Sequence, residues 1–324
     1  MNIRKTEKVA GIIILFLLIS ASLVAQERAD VIKAYNEGAK AVQTDVEAAI
    51  NAFENAITLA GQVGETADDL KQKAAQVLPG LYVKAALNAV NEKKPAPEII
   101  SAAKKAAAAS EKYNSASNKE NAGKLLLQGY LTMASEYFAK EDFDNAVASF
   151  DSLLTVNPDY LPAIYNKALI YRRQNNAVAF EETIDLYLGK LETGKDDQLK
   201  TQASTLALEY FRAAGSQANQ AENLDEAMTL LNKAAKYGED KDLYYFFADV
   251  YNKQKNFNAG IENANKGLAL ETGDAEAKAK FYYQLAVAQA GKGDTSAACG
   301  SFKNALYGPF LEASKAQRSN LKCE

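Results

Sequence analysis

The chain has 324 residues, a formal net charge of −4, two cysteines and no histidine or tryptophan. Without histidine there is no imidazole for general acid–base work, for Ser–His or Cys–His nucleophiles, or for histidine-bearing zinc sites. A mildly acidic balance with no basic stripe also argues against nucleic acid as a partner.

At the N-terminus Arg4, Lys5 and Lys8 precede an apolar run from Gly11 to Ile19. The small residues Ser20, Ala21, Ser22 and Ala25 follow, before polar Gln26 and Glu27. This is the layout of a secretory signal, residues 1–25, with cleavage expected after Ala25 and Ser22 as the nearby alternative. Val9 to Ala25 is 17 residues, the lower edge of a membrane span, so an uncleaved anchor is the competing reading. No cysteine follows the run, so no lipid anchor is expected. Cleavage removes three positive charges and one negative charge, taking the net charge from −4 to −6. The expected product is periplasmic or secreted, with no stable membrane insertion.

The remainder reads as all-α. Alanine, lysine, glutamate, leucine and glutamine dominate, and no alternating β-branched run is bounded by turn signals. The six prolines, Pro79, Pro95, Pro97, Pro158, Pro162 and Pro309, fall where helices should begin, end or turn. Ala29 to Ala60 predicts two helices, with Gly38 inside the first and Ala49, Phe53 and Ala56 striping the second. Asp68 to Val90 predicts a long helical stretch that Pro79-Gly80 kinks or splits. Pro95-Ala96-Pro97 opens another helix, carrying Ile99, Ile100, Ala103 and Ala106. Residues 114–118 form a polar break, placing a boundary between degenerate N-terminal helical repeats (26–118) and a regular array (119–307).

The array repeats one spacing. It runs Ala134, Tyr137, Ala146, Phe150, Leu153, Pro158, and recurs 34 residues on as Ala168, Tyr171, Phe180, Ile184, Tyr187. Further copies are Gly215, Ala227, Leu231, Ala234; then Ala248, Tyr251, Gly260, Ala264, Gly267; then Ala286, Ala298, Phe302, Ala305. A period of this size marks a helix–turn–helix solenoid, whose units bury their apolar faces by stacking. These residues resemble the tetratricopeptide-repeat family, well over 119–307 and weakly over 27–113. Phe180 departs from the pattern, standing where the family has a small residue, and predicts altered helix packing.

The resemblance implies a right-handed α–α superhelix that holds a protein or peptide in a groove. In that family the second, fifth, ninth and twelfth positions of each first helix line the groove. Carried over, they include Leu131, Ser135 and Phe138; then Tyr165, Leu169, Arg172 and the adjacent Arg173; then Arg212, Ser216 and Asn219. The last units contribute Tyr245, Asp249 and Asn252, and then Tyr283. Fifth-position tyrosines would form a ladder, and Arg172, Arg173 and Arg212 suit an acidic peptide or a terminal carboxylate. The bland alternative is half-buried tyrosine packing and arginines that solvate helix faces. The Lys–Asn clamp of chaperone-binding members is missing, only Asn166 matching it.

Glu192 to Asp197 predicts a surface loop, and the helix from Leu199 to Ala218 is longer than a standard unit. Gly291-Lys292-Gly293-Asp294-Thr295 lacks the phosphate-loop spacing and reads as an interhelical turn. Asp142, Asp144 and Asp294 sit at cap positions. Glu181, Glu182, Glu226 and Glu271 belong to helix starts or solvated faces. No catalytic, cofactor-binding or metal residue is therefore assigned. Cys299 and Cys323 predict a disulfide stapling a capping helix (308–324) onto the last repeat, worth about 3 kcal/mol in the chain-entropy model. A catalytic redox pair would need C-x-x-C spacing. The expected function is a non-enzymatic adaptor or scaffold of the cell envelope. The alternative is a small-ligand or glycan-binding accessory of an outer-membrane uptake system, with 17 tyrosines but no tryptophan for stacking.

Overall fold

The computed structural model describes residues 27–324, so the expected signal segment lies outside the described residues. Helix α1 covers 27–41. It is followed by α2 (Val46–Val63), a 3-10 turn (Glu65–Ala67), α3 (Asp68–Asn91), α4 (Ala96–Lys112), α5 (Ala116–Ala139) and α6 (Phe143–Val156). Then come α7 (Leu161–Arg173), α8 (Ala177–Lys190), α9 (Asp197–Gln220), α10 (Leu224–Tyr237), α11 (Lys241–Lys253) and α12 (Phe257–Leu270). The last elements are α13 (Ala275–Gly291), α14 (Thr295–Asn304), a second 3-10 turn (Gly308–Phe310) and α15 (Leu311–Asn320). No strand occurs among the described residues. The chain divides into two compact units, one ending at Ala163 and the other beginning at Ile164.

Neither unit has a single central core. In the first, Val31 of α1 packs with Ala60 of α2 and Leu70 of α3. Ala49, Ile50 and Phe53 of α2 meet Ala74, Leu78 and Leu81 of α3. Ile100, Ala103 and Ala106 of α4 lie between Ala86 of α3 and Ala122, Leu125 and Leu126 of α5. The second unit repeats the arrangement. Ala248 of α11, Ala264 of α12 and Leu285 of α13 form one cluster, and Ala286 of α13 with Ala298 and Phe302 of α14 form the next. Each cluster draws on consecutive helices, as expected of a stack that buries its apolar faces pairwise.

The turns inside the pairs follow one chemistry. Glu141, Asn175, Glu222, Lys255 and Gly293 all adopt positive φ. Each precedes the N-cap residue of the next helix: Asp142, Asn176, Asn223, Asn256 and Asp294. Four of these caps accept a backbone N–H three residues on, as Asp294 does from Ala297 at 3.1 Å. A left-handed residue ends the first helix and an Asn or Asp side chain starts the second.

Three irregularities answer the expectations above. Pro79 does not split α3, which runs unbroken from Asp68 to Asn91. Buried Leu70, Ala74, Leu78 and Leu81 straddle the proline, and their packing holds the axis across the one missing N–H. Phe180 is fully buried, its ring 4.6 Å from Tyr210 and 5.8 Å from Phe211, so rings fill the step from α8 to α9. Helix α9 is 24 residues long, as long as α5, and begins well before Leu208, where the repeat's first helix would start.

Gly260 stands where other units carry Ala146, Ala227 or Ala298. A Cβ built on it would lie 2.2 Å from Asn252 Oδ1. That oxygen is buried and has no hydrogen-bond partner, and it occupies the space an alanine methyl would take. At the turn after α12, buried Glu271 pairs with Lys241 at 2.9 Å and accepts the Gly273 N–H at 2.8 Å. Those two bonds hold its carboxyl below the usual carboxylate range.

Gly260→Ala is expected to destabilise the protein by about 1–3 kcal/mol, because the new methyl must displace an amide held by its own hydrogen bonds. Combining it with Asn252→Ala should recover part of that loss in urea melts, whereas Gly61→Ala, with nothing within 4 Å, should cost nothing. Because the folded Glu271 carboxyl lies below its unfolded value, the pair contributes stability above that value. The contribution is lost as pH falls through the folded value. Glu271→Gln should therefore flatten the decline of melting temperature between about pH 5 and about pH 3.

Candidate partner-binding face

In the first unit Leu131 and Ser135 share one side of α5 with Gln128, Thr132, Glu136 and Ala139. The six line an open depression of about 480 Å³. Phe138, one turn further along α5, is 39% exposed and sets its ring against Phe143.

In the second unit the three fifth-position tyrosines each pack on rings from outside the expected ladder. Tyr165 packs on Tyr187 at 5.0 Å, Tyr245 on Phe246 at 5.2 Å and Phe281 at 6.2 Å, and Tyr283 on Phe302 and Phe310 at 5.7 and 5.3 Å. Burial, followed by the Asp249 carboxylate, raises the phenols of both Tyr245 and Tyr283. Leu169 is half-buried, while Arg172 and Arg173 are exposed in the last turn of α7, where the helix dipole favours cations. Burial raises the Tyr210 phenol, and the nearby Arg172 charge opposes that shift. Arg212 is engaged in an ion pair with Asp240, the N-cap residue of α11.

Asn219, Asp249 and Asn252 come together in one network across α9, α11 and α13. Asn219 Nδ2 donates to Asp249 Oδ2 at 2.6 Å, and Gln284 Nε2 donates to Asp249 Oδ1 at 3.0 Å. Asn252 Nδ2 donates to both the backbone oxygen and Oε1 of Gln284 at 2.9 Å. Lys253 Nζ donates to Asn219 Oδ1 at 2.8 Å and lies 3.4 Å from Asp249. Beside the network, Lys280 pairs with Asp242 and sits over the Tyr245 ring. The sequence reading missed Lys253, Gln284, Asp240, Asp242 and Lys280. Lys253 stands four residues after Asp249, a helical ion-pair spacing that was available as a signal.

A separate cavity of about 380 Å³ lies along the early turns of α9, lined by Lys200, Ser204, Thr205, Leu208, Tyr237 and Glu239 among others. It exists because α10 ends at Tyr237 while α9 continues past it. One face of Tyr237 stacks on Phe211 at 5.9 Å, and Lys236 sits over its ring at 5.2 Å. Its hydroxyl donates to Asp185 at 2.9 Å, and burial first, then that bond, raises its pKa. Among the described residues no group of three or more His, Cys, Asp or Glu side chains is placed to hold a metal ion. No described helix is long and apolar enough to cross a membrane.

Paired helices, close contacts at small residues and a recurring cap define a helical-repeat protein. Residues 127–160 match the tetratricopeptide-repeat family, so the chain carries a tetratricopeptide repeat there. Similar solved structures include MamA, 18% identical over 61% of this chain and 96% of that one, at a TM-score of 0.35. YrrB, described as a tetratricopeptide-repeat protein with an unusual peptide-binding site, is 15% identical over 59% of this chain and 91% of that one, at 0.35. A tetratricopeptide-repeat protein from Parabacteroides merdae is 17% identical over 92% of this chain and 99% of that one, at 0.28. A comparison with curated proteins finds no match.

The network separates side chains that hold the stack from those that only border it. Asp249→Ala should cost about 1–3 kcal/mol, since it strips partners from Asn219, Gln284 and Lys253 together. Arg172→Glu should leave stability within about 0.5 kcal/mol of wild type. Urea unfolding of the two variants checks both.

Proposed function

We propose that this protein is a non-enzymatic adaptor that holds a protein or peptide partner along the face its first helices share. The reading places it in the cell envelope after removal of residues 1–25, with Tyr165, Leu169, Arg172, Arg173, Arg212, Asn219, Tyr245, Asp249, Asn252 and Tyr283 on or beside that face. One observation carries it. The network from Asn219 through Asp249 and Gln284 to Asn252 fixes polar side chains on three successive first helices before any partner arrives. Asn219, Asn252 and Gln284 are buried, so the network stiffens the helices behind that face, and a framework already rigid loses little freedom on binding. The exposed Arg172 and Arg173 at the end of α7 add positive charge suited to acidic side chains or a terminal carboxylate.

A second reading, a small polar ligand such as a glycan, is favoured by the cavity beside α9. Its Ser204 and Thr205 hydroxyls, the Lys200 amine and the Glu239 carboxylate offer donors and acceptors over an apolar floor at Leu208. One face of the Tyr237 ring is taken by Phe211, which limits stacking on a sugar ring there.

Cross-linked affinity capture from the native envelope is expected to enrich a protein with the wild type and to lose it with Arg172→Glu, Arg173→Glu. Equal capture by both baits would reject the assignment of those arginines. If neither bait captures anything and a saccharide titration gives heat that Thr205→Trp abolishes, the second reading replaces the first.

A further inference from the structure

The C-terminal helix is fastened to the last repeat mainly through covalent and polar ties at one end. Cys299 of α14 and Cys323 just beyond α15 form a disulfide with Cα atoms 5.6 Å apart. Within α15 the one buried residue is Ser314, whose hydroxyl donates to the Ala305 carbonyl at 3.4 Å. Arg318 reinforces the disulfide end, donating to the carbonyls of Cys299 at 2.6 Å and Glu324 at 2.7 Å. Apolar contact comes from partly buried Leu321, against Ala286, Ala298 and Phe302, and from Phe310 against Tyr283. By comparison α13 buries Ala279, Phe281, Leu285, Ala286 and Ala288. Phe302 and Ala298, beneath the cap, are only 1% and 0% exposed. Neither cysteine is buried.

We propose that Cys299–Cys323 is a redox-sensitive latch: a dithiol reductant opens it, α15 leaves the last repeat, and the α13–α14 surface around Tyr283 and Phe302 is uncovered. A thiolate of the reductant attacks one sulfur, breaks the S–S bond and forms a mixed disulfide, while the other cysteine leaves as a thiolate and takes up a proton. The reductant's second thiolate then attacks the mixed disulfide and releases the first cysteine. Two electrons and two protons end on Cys299 and Cys323, and the reductant is left as its own disulfide. A helix with so little apolar burial has little to hold it once the crosslink is gone, so it opens locally without unfolding its neighbours. The inference stands apart from the adaptor reading, because the opening is observable with no partner present.

Amide hydrogen exchange of the full chain, read by mass spectrometry, tests it. Peptides covering 311–321 and 298–304 should exchange on the order of tenfold or more faster with excess dithiothreitol, and in Cys323→Ser without it. Peptides from α9 to α12 should not change. Two results would overturn the latch. One is unchanged exchange in α15 when thiol labelling shows both cysteines reduced and Cys323→Ser behaves the same way. The other is loss of protection throughout the second unit together, which would make the disulfide a staple of the whole fold.

Discussion

Close approach at small side chains is the constraint on which the other features depend. At Gly215 an added Cβ would meet Leu231 at 2.9 Å, and fully buried Ala134, Ala168, Ala248 and Ala286 hold the equivalent places in other pairs. Helices in contact at such residues leave no room for water and bring large side chains from the flanking positions into register. No pair is thick enough to bury its own apolar stripe, so each cluster borrows from the next helix. The unit of stability is therefore the interface between neighbours.

The polar network on the first helices follows from that stacking. Asn219, Asp249 and Gln284 lie about one repeat apart in sequence, and successive first helices set them side by side. The ion pairs Arg212–Asp240 and Lys280–Asp242 also join successive first helices, and Lys241–Glu271 ties the start of α11 to the end of α12. Half-buried pairs of this kind contribute modestly one at a time. Their larger effect is orientational: a buried amide with a fixed partner admits one arrangement of its helix against the next. Asn252 shows the cost of that order, since its Oδ1 faces the Gly260 backbone unpaired while its Nδ2 is doubly engaged.

The periodic features were legible in the sequence, and the reason is physical. Small residues at a fixed spacing mark helix crossings, so Ala134, Ala168, Ala248 and Ala286 located the pairs before any coordinates. Asp142 and Asp294 were recognisable as caps, yet Asn176 and Asn256 fill the same role after their own positive-φ residues and could have been read by the same rule. The fate of Pro79 was not legible, because its tolerance depends on what Leu70, Ala74, Leu78 and Leu81 pack against. The network was not legible either. The Asn219–Asp249 bond spans 30 residues and the Asn252–Gln284 bond 32, and such pairings depend on how two helices superpose. Groove positions carried over by analogy could not distinguish an engaged Arg212 from an exposed Arg172.

That distinction bears on what kind of recognition this face supports. Along α9, α11 and α13 most charges already have a partner within the chain and the amides of Asn219, Asn252 and Gln284 are buried, so a ligand approaching there would meet ring edges and neutralised pairs. Breaking such a pair to satisfy a ligand's charge would leave a desolvated partner behind, a loss that the new contact must exceed. Selectivity there has to come from hydrogen-bond geometry and shape. At the end of α7 Arg172 and Arg173 are exposed to solvent, where salt screens the field they contribute. On the adaptor reading proposed above, capture should therefore weaken with added salt, and Arg172→Glu, Arg173→Glu should remove much of that salt dependence.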